Sequence, residues 1–153
     1  IHCGLVGSEM CIRDRIDNFI QKIRKENNAF FYKKGSESAK SMIKALKQNE
    51  DLALLIDQRD SSGLEIDFFG KKALATDGFA NLAIRYKTMI CPVYSIRNQN
   101  NKFQIIFEKP LRYEEYKNYD VKGLVEMIHK KYFEKWITHS PSQWLWVHKR
   151  WKL

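Results

Sequence analysis

Glycine and proline are scarce, at 7 and 3 residues in a chain of 153, which excludes collagen-like and low-complexity architectures. Long apolar runs are missing too: no stretch approaches the roughly eighteen uninterrupted apolar residues that a membrane-spanning helix needs. With a mean hydropathy of −0.52, the chain would meet a membrane only at its surface. Cysteine is limited to Cys3, Cys11 and Cys91. These form no Cys-x-x-Cys pair and stand near no histidine cluster with zinc-ligand spacing, so no metal site and no cofactor is expected. The odd count points to a reducing compartment, with Cys91 as a small buried hydrophobe.

Acidic residues are outnumbered: 18 Asp plus Glu face 27 Lys plus Arg, a formal net charge of +9 with a pI of about 9.5. That balance calls for an acidic partner, whether nucleic acid, anionic lipid, a phosphorylated substrate or an acidic protein. What the chain has in quantity is apolar and aromatic, 44% and 13% of its residues, too much for a disordered polymer. A domain of this length buries roughly 70% of the surface its unfolded chain exposes, enough for a core without staples.

The opening IHCGLVGSEMCIRDR has neither the long apolar centre of a signal peptide nor a helical period. We expect residues 1–15 to be a non-native tail and residues 16–153 to be a single partial domain. From there the pattern is regular. Ile16, Phe19, Ile20 and Ile23 fall at the spacing of one helix face, giving a helix over about 16–27. Ala29, Phe30 and Phe31, leading into Tyr32, read as a short strand, and Ala39, Met42, Ile43 and Leu46 as a second helix. The run Leu52–Ile56 suits a central strand buried on both faces, as in parallel sheets. After it comes QRDSSGLEIDFFGKKALAT, without helical period, read as a long irregular loop and hence a place to look for a site. Asp77 can cap a helix carrying Phe79, Leu82, Ala83 and Tyr86. A second buried strand follows at 89–96, then a turn at 98–101 and a returning strand. Asp120 opens a last helix through Trp136 that ends before Pro141. The order of elements signals an α/β domain with a mixed sheet flanked by helices.

Several short motifs between Leu52 and Lys152 carry a family likeness. They are Asp57-Gln58 at a strand end, Phe68-Phe69-Gly70, and Ala75-Thr76 with Gly78 and Leu82-Ala83. Further on come Pro92 and Arg97, then Pro141, Gln143-Trp144, Trp146, His148 and Arg150-Trp151. Upstream, Ile16-Asp17 with Arg24, Lys33-Lys34-Gly35 and Ala45-Leu46-Lys47 fit less specifically. In order and spacing the set resembles the late acyltransferases of lipid A biosynthesis, of the lauroyl and myristoyl type, within the lysophospholipid acyltransferase family.

The resemblance implies a glycerolipid-acyltransferase-like fold. It also implies transfer of a fatty acyl group from an acyl carrier protein thioester to a hydroxyl of an anionic lipid A precursor, in lipopolysaccharide biosynthesis. The place would be the cytoplasmic face of a bacterial inner membrane. The family's catalytic base is a His five residues before an Asp or Glu, placed ahead of the motifs found here, so the catalytic pair is expected upstream of this chain and the chain alone is expected to be inactive. His129 and Glu134 have that spacing but lie after most of the motifs. Five residues of α-helix turn about 500°, leaving the two side chains roughly 140° apart.

For each candidate two readings stand side by side. Asp57 and Gln58 form a substrate site beyond a strand end or a polar end-cap. Phe68, Phe69 and Gly70 line an acyl slot or plug the core beneath a loop. Arg97 holds a phosphate bidentately or is a strand-end charge; its strand is expected beside the Leu52–Ile56 strand. Arg24, Lys33 and Lys34 contact phosphates or an anionic membrane surface or form a solvated face. The C-terminal tryptophans meet a membrane surface or stack on the core. The competing class is a basic module binding nucleic acid or an anionic surface without catalysis. No recognised RNA or DNA motif supports it, and nucleic acid is not expected as a partner.

Overall fold

The computed structural model describes residues 3–6, 22, 29–31, 36–146, 150 and 151. The chain divides into two compact units, Ile1–Leu55 and Ile56–Leu153. The helix expected over 16–27 and the strand residue Tyr32 lie outside the described residues, apart from Lys22, which is helical.

In the first unit, β1 (Cys3–Val6), β2 (Ala29–Phe31) and β3 (Asp51–Leu54) form a parallel sheet in the order β2-β1-β3. The opening stretch thus contributes the middle strand. α1 (Ser36–Lys47) carries Ala45 as its buried residue, with Met42, Ile43 and Leu46 half-buried. Its end is a Schellman motif, which satisfies the last carbonyls. Glu50 N–H donates to the Ala45 carbonyl and Asn49 N–H to that of Leu46, and Asn49 takes the left-handed φ of 58°. The Leu52–Ile56 run is corrected: the strand stops at Leu54, is half-buried, and among the described residues sits at a sheet edge beside β1. An edge strand has a neighbour on one side only, so the apolar run is covered less than its sequence implied.

In the second unit the passage read as an irregular loop is an antiparallel hairpin, β4 (Leu64–Phe68) and β5 (Lys71–Ala75). Leu64, Ile66 and Phe68 alternate onto one face with Ala73 and Ala75, and all of these but Leu64 are buried. Phe69 and Gly70 make the two-residue turn, with φ of 54° and 70°, the signature of a type I′ turn that matches strand twist. Only glycine adopts such a φ without cost, so Gly70 suits its place and Phe69 is strained. Gly63 precedes the hairpin for another reason: a Cβ there would lie 2.1 Å from the Ala75 carbonyl oxygen.

α2 (Gly78–Tyr86) buries Phe79, Ala80 and Ala83. Asp77 stands at its N-cap but makes no side-chain cap bond; its carboxylate accepts from Asn81 Nδ2 at 3.0 Å instead. β6 (Val93–Arg97) and β7 (Phe103–Phe107) form a second hairpin, whose turn is held by Asn98 Oδ1 accepting from Asn100 and Lys102 N–H. Among the described residues β6 is not part of a larger sheet: its partner is β7. Nor is β6 buried: one face, with Val93, Phe103, Ile105 and Phe107, is exposed, because no further strand or helix lies over it among the described residues. Cys91, just before it, is exposed rather than buried.

After α3 (Tyr113–Tyr116), α4 (Val121–Ile128) starts where Asp120 accepts from Gly123 N–H at 2.7 Å, the expected cap. It buries Leu124, Val125 and Ile128 and packs on β4 and α2. The helix then widens into one π turn, His129–Phe133, before resuming as α5 (Glu134–His139). Pro141 begins a short 3₁₀ turn. The class is α/β, with parallel and antiparallel pairing distributed, among the described residues, over three small sheets.

Candidate functional site

The site grows from a buried cation. Arg150 is 1% exposed and Phe68 and His129 are fully buried. Three elements bring them together. β4 ends on Phe68, the π turn starts on His129, and the C-terminal segment adds to the β5 edge, where Ala73 bridges Trp151 and Leu74 N–H donates to the Arg150 carbonyl at 3.2 Å. Trp151 stacks on Phe68 with ring centroids 5.6 Å apart and donates from Nε1 to the Phe68 carbonyl at 3.0 Å. The guanidinium lies 4.9 Å from the Phe68 ring centroid and 5.8 Å from that of Trp144, a cation held on aromatic faces.

Its hydrogen bonds go to neutral acceptors. Nη1 donates to the Asp57 carbonyl and Nη2 to His129 Nε2 at 2.6 Å. Because arginine cannot accept, Nε2 carries the lone pair; the proton is on Nδ1, which donates to the Val125 carbonyl at 2.7 Å. His129 is therefore neutral. Burial first, and the Arg150 charge second, push its pKa from 6.5 down to about 4. Burial likewise lowers Arg150 to about 10, partly opposed by the Asp57 charge.

This arrangement disposes of His129 as a general base, since both ring nitrogens are committed and solvent does not reach it. The acid five residues on is committed as well: Glu134 accepts from Phe69 N–H at 2.7 Å. The π turn, in which Glu134 N–H donates to the His129 carbonyl, brings positions five apart closer to one face than α-helical rotation implies; what stands against a His129–Glu134 dyad is that both side chains are already bonded elsewhere.

Of the expected site residues, Arg24, Lys33 and Lys34 lie outside the described residues, as does His148. Asp57 and Gln58 are half-buried, Asp57 meeting the site through its carbonyl. Phe68 takes the core role, being wholly enclosed. Phe69, at the turn tip, is 40% exposed, and Gly70 beside it is exposed. Arg97 is exposed, its guanidinium 4.8 Å over the Phe103 ring. The structure thus joins Asp57 and Phe68 through Arg150, and brings Arg97 to neither among the described contacts. Gln143 bonds Arg97 instead, accepting from its N–H at 2.7 Å and donating to its carbonyl at 3.0 Å, so an amide side chain stands in for a strand neighbour at the β6 edge. Trp144 and Trp146 pack edge to face at 4.7 Å; Trp144 is half-buried, and Trp146 remains 52% exposed.

Sequence reasoning did not single out Arg150. Its signal was present in the C-terminal motif, but a cation among tryptophans and lysines reads as surface.

No group of three or more metal-ligating side chains gathers among the described residues, and no described helix is long and apolar enough to cross a membrane. A search of the curated proteins found no match. A family model described as bacterial lipid A biosynthesis acyltransferase matches residues 11–153. The match takes in the Asp57 segment, the Phe68 hairpin and the Arg150–Trp151 clamp together, and the chain belongs to that family of acyltransferases.

Proposed function

We propose that this chain serves the transfer of a fatty acyl group from acyl carrier protein to a hydroxyl of an anionic lipid A precursor, at the cytoplasmic face of the bacterial inner membrane. The observation that carries this reading is the family match over residues 11–153. The net charge of +9 supports an anionic acceptor, and exposed Arg97 is free of any carboxylate partner among the described residues, as a phosphate-binding group would be. Asp57 and Gln58 border the acceptor in this reading. Phe69 and Gly70 at the exposed turn face the acyl chain, while Phe68 supports them from the core. Arg24, Lys33 and Lys34 add positive charge for phosphates or lipid headgroups.

The reaction needs a base to take the acceptor hydroxyl's proton. His129, buried neutral and doubly bonded, does not supply it; in this reading the chain by itself binds the acceptor without turning it over.

The test is binding of the purified chain to phosphatidylcholine vesicles with and without lipid A, followed by incubation with acyl carrier protein thioester and precursor. We expect tighter binding to lipid A vesicles, weakened by salt as the screening length shortens to ~3 Å at 1 M, and weakened further by Arg97→Ala. No transfer should occur. Equal binding to both vesicles, or much tighter salt-sensitive binding to single-stranded nucleic acid, defeats the reading. Turnover that disappears with His129→Ala defeats the argument against the His129–Glu134 pair.

A further inference from the structure

Arg150 is the largest of the fully buried side chains among the described residues, and a guanidinium is a poor choice there for stability alone. A buried cation carries a heavy desolvation penalty, and an apolar side chain of similar volume often does as well or better. No carboxylate oxygen bonds Arg150 among the described residues, and its buried Nε meets no acceptor. What only arginine supplies is a rigid planar fork with several donors. Here one tine holds the Asp57 carbonyl, 93 residues away in sequence. The other is seated on His129, 21 residues away, whose ring is itself fixed by Val125. The fork also lies against two aromatic rings, 4.9 Å from the Phe68 centroid and 5.8 Å from that of Trp144, which meet each other edge to face.

We propose that Arg150 is a positioning residue for the acceptor site: by bonding the Asp57 carbonyl it holds the Asp57–Gln58 pair in one arrangement toward the lipid headgroup. Arg150 does not itself touch the lipid, since it is enclosed. This inference rests on the reading of Asp57 and Gln58 as bordering the acceptor. His129 completes the device as a neutral backstop that fixes the fork's rotation. The motif pairing Asp57-Gln58 with Arg150-Trp151 is then one mechanical unit whose two halves lie at opposite ends of the second unit's sequence.

The experiment compares the parent chain with Arg150→Met and Arg150→Lys. It reads three quantities: tryptophan-fluorescence melting, amide hydrogen exchange at Gln58 and Arg59, and binding to phosphatidylcholine vesicles with and without lipid A. Methionine should leave the melting midpoint near the parental value, while exchange at Gln58 and Arg59 speeds up at least about tenfold and the lipid A-dependent part of binding falls by about tenfold. Lysine keeps the charge without the fork, and it should rescue neither exchange nor binding. Unchanged exchange in both variants overturns the positioning role. So does full rescue by lysine, which would make charge and not the fork the active feature. If both variants fail to fold, Arg150 is a core support and the proposal is likewise overturned. Should the parent bind both vesicles equally, the acceptor reading fails, while the exchange data still decide whether Arg150 holds the segment.

Discussion

Acidification from pH 7 to 4 should destabilise the second unit through one ring, His129. Its Nδ1–H donates to Val125 and its Nε2 accepts from Arg150, with Phe68 and Phe133 against its faces and edges. A second proton would fall on Nε2, cancel that hydrogen bond, and set an imidazolium 2.6 Å from a guanidinium. The folded pKa is accordingly lowered to about 4, against 6.5 in the unfolded chain. Between those values the unfolded state binds a proton that the folded state refuses, so stability rises with pH across this window. The contribution is fully present above about pH 6.5, drains away toward pH 4, and changes no further below. At about 1.4 kcal/mol for each tenfold in proton affinity, the loss approaches roughly 3 kcal/mol, a large part of the 5 to 15 kcal/mol typical of a domain. The assay is urea unfolding followed by tryptophan fluorescence from pH 7 to 4, in the parent and in His129→Gln. All four tryptophans lie in the second unit. Glutamine can offer an N–H to Val125 and an oxygen to Arg150 but does not titrate, and carboxylates common to both proteins cancel in the difference. The parent should lose about 3 kcal/mol relative to the variant over that range; parallel pH profiles would refute the neutral, doubly bonded assignment of His129.

Phe68→Ala should cost about 3 to 5 kcal/mol and melt the second unit at much lower urea, since it empties the centre of the Arg150, His129 and Trp151 cluster. Phe69→Asn should do the reverse, raising the unfolding free energy by roughly 0.4 to 1 kcal/mol, because asparagine followed by glycine accepts the left-handed turn that phenylalanine strains; a loss of stability would show the Phe69 ring to be packed. Gly63→Ala should destabilise by about 1 to 3 kcal/mol in the same assay, as the added methyl meets the Ala75 carbonyl oxygen.

What the sequence determined by itself was local. The period of Met42, Ile43 and Leu46 marks α1, Asp120 marks the start of α4, and the polar run at 98–101 marks the second hairpin, because each depends on residues within one or two turns of chain. The Leu64, Ile66, Phe68 alternation was equally local evidence for β4. It was obscured by a turn made of phenylalanine and glycine rather than asparagine and glycine, which carries a weaker hairpin signal. The family likeness was legible as well, since it lies in the order of short motifs. Only the tertiary structure decided which of these residues meet. Nothing in the spacing of Asp57, Phe68, His129 and Arg150 says that they converge, for sequence separation does not limit contact once β4, the π turn and the C-terminal segment pack together. It also reversed the meaning of two charges. His129 looks like a base until both nitrogens are seen to be occupied, and Arg150 looks like a surface cation until Phe68, Trp144 and Trp151 close around it. Burial sets the cost of a charge, and burial is a property of the folded neighbourhood, which no single stretch of sequence contains.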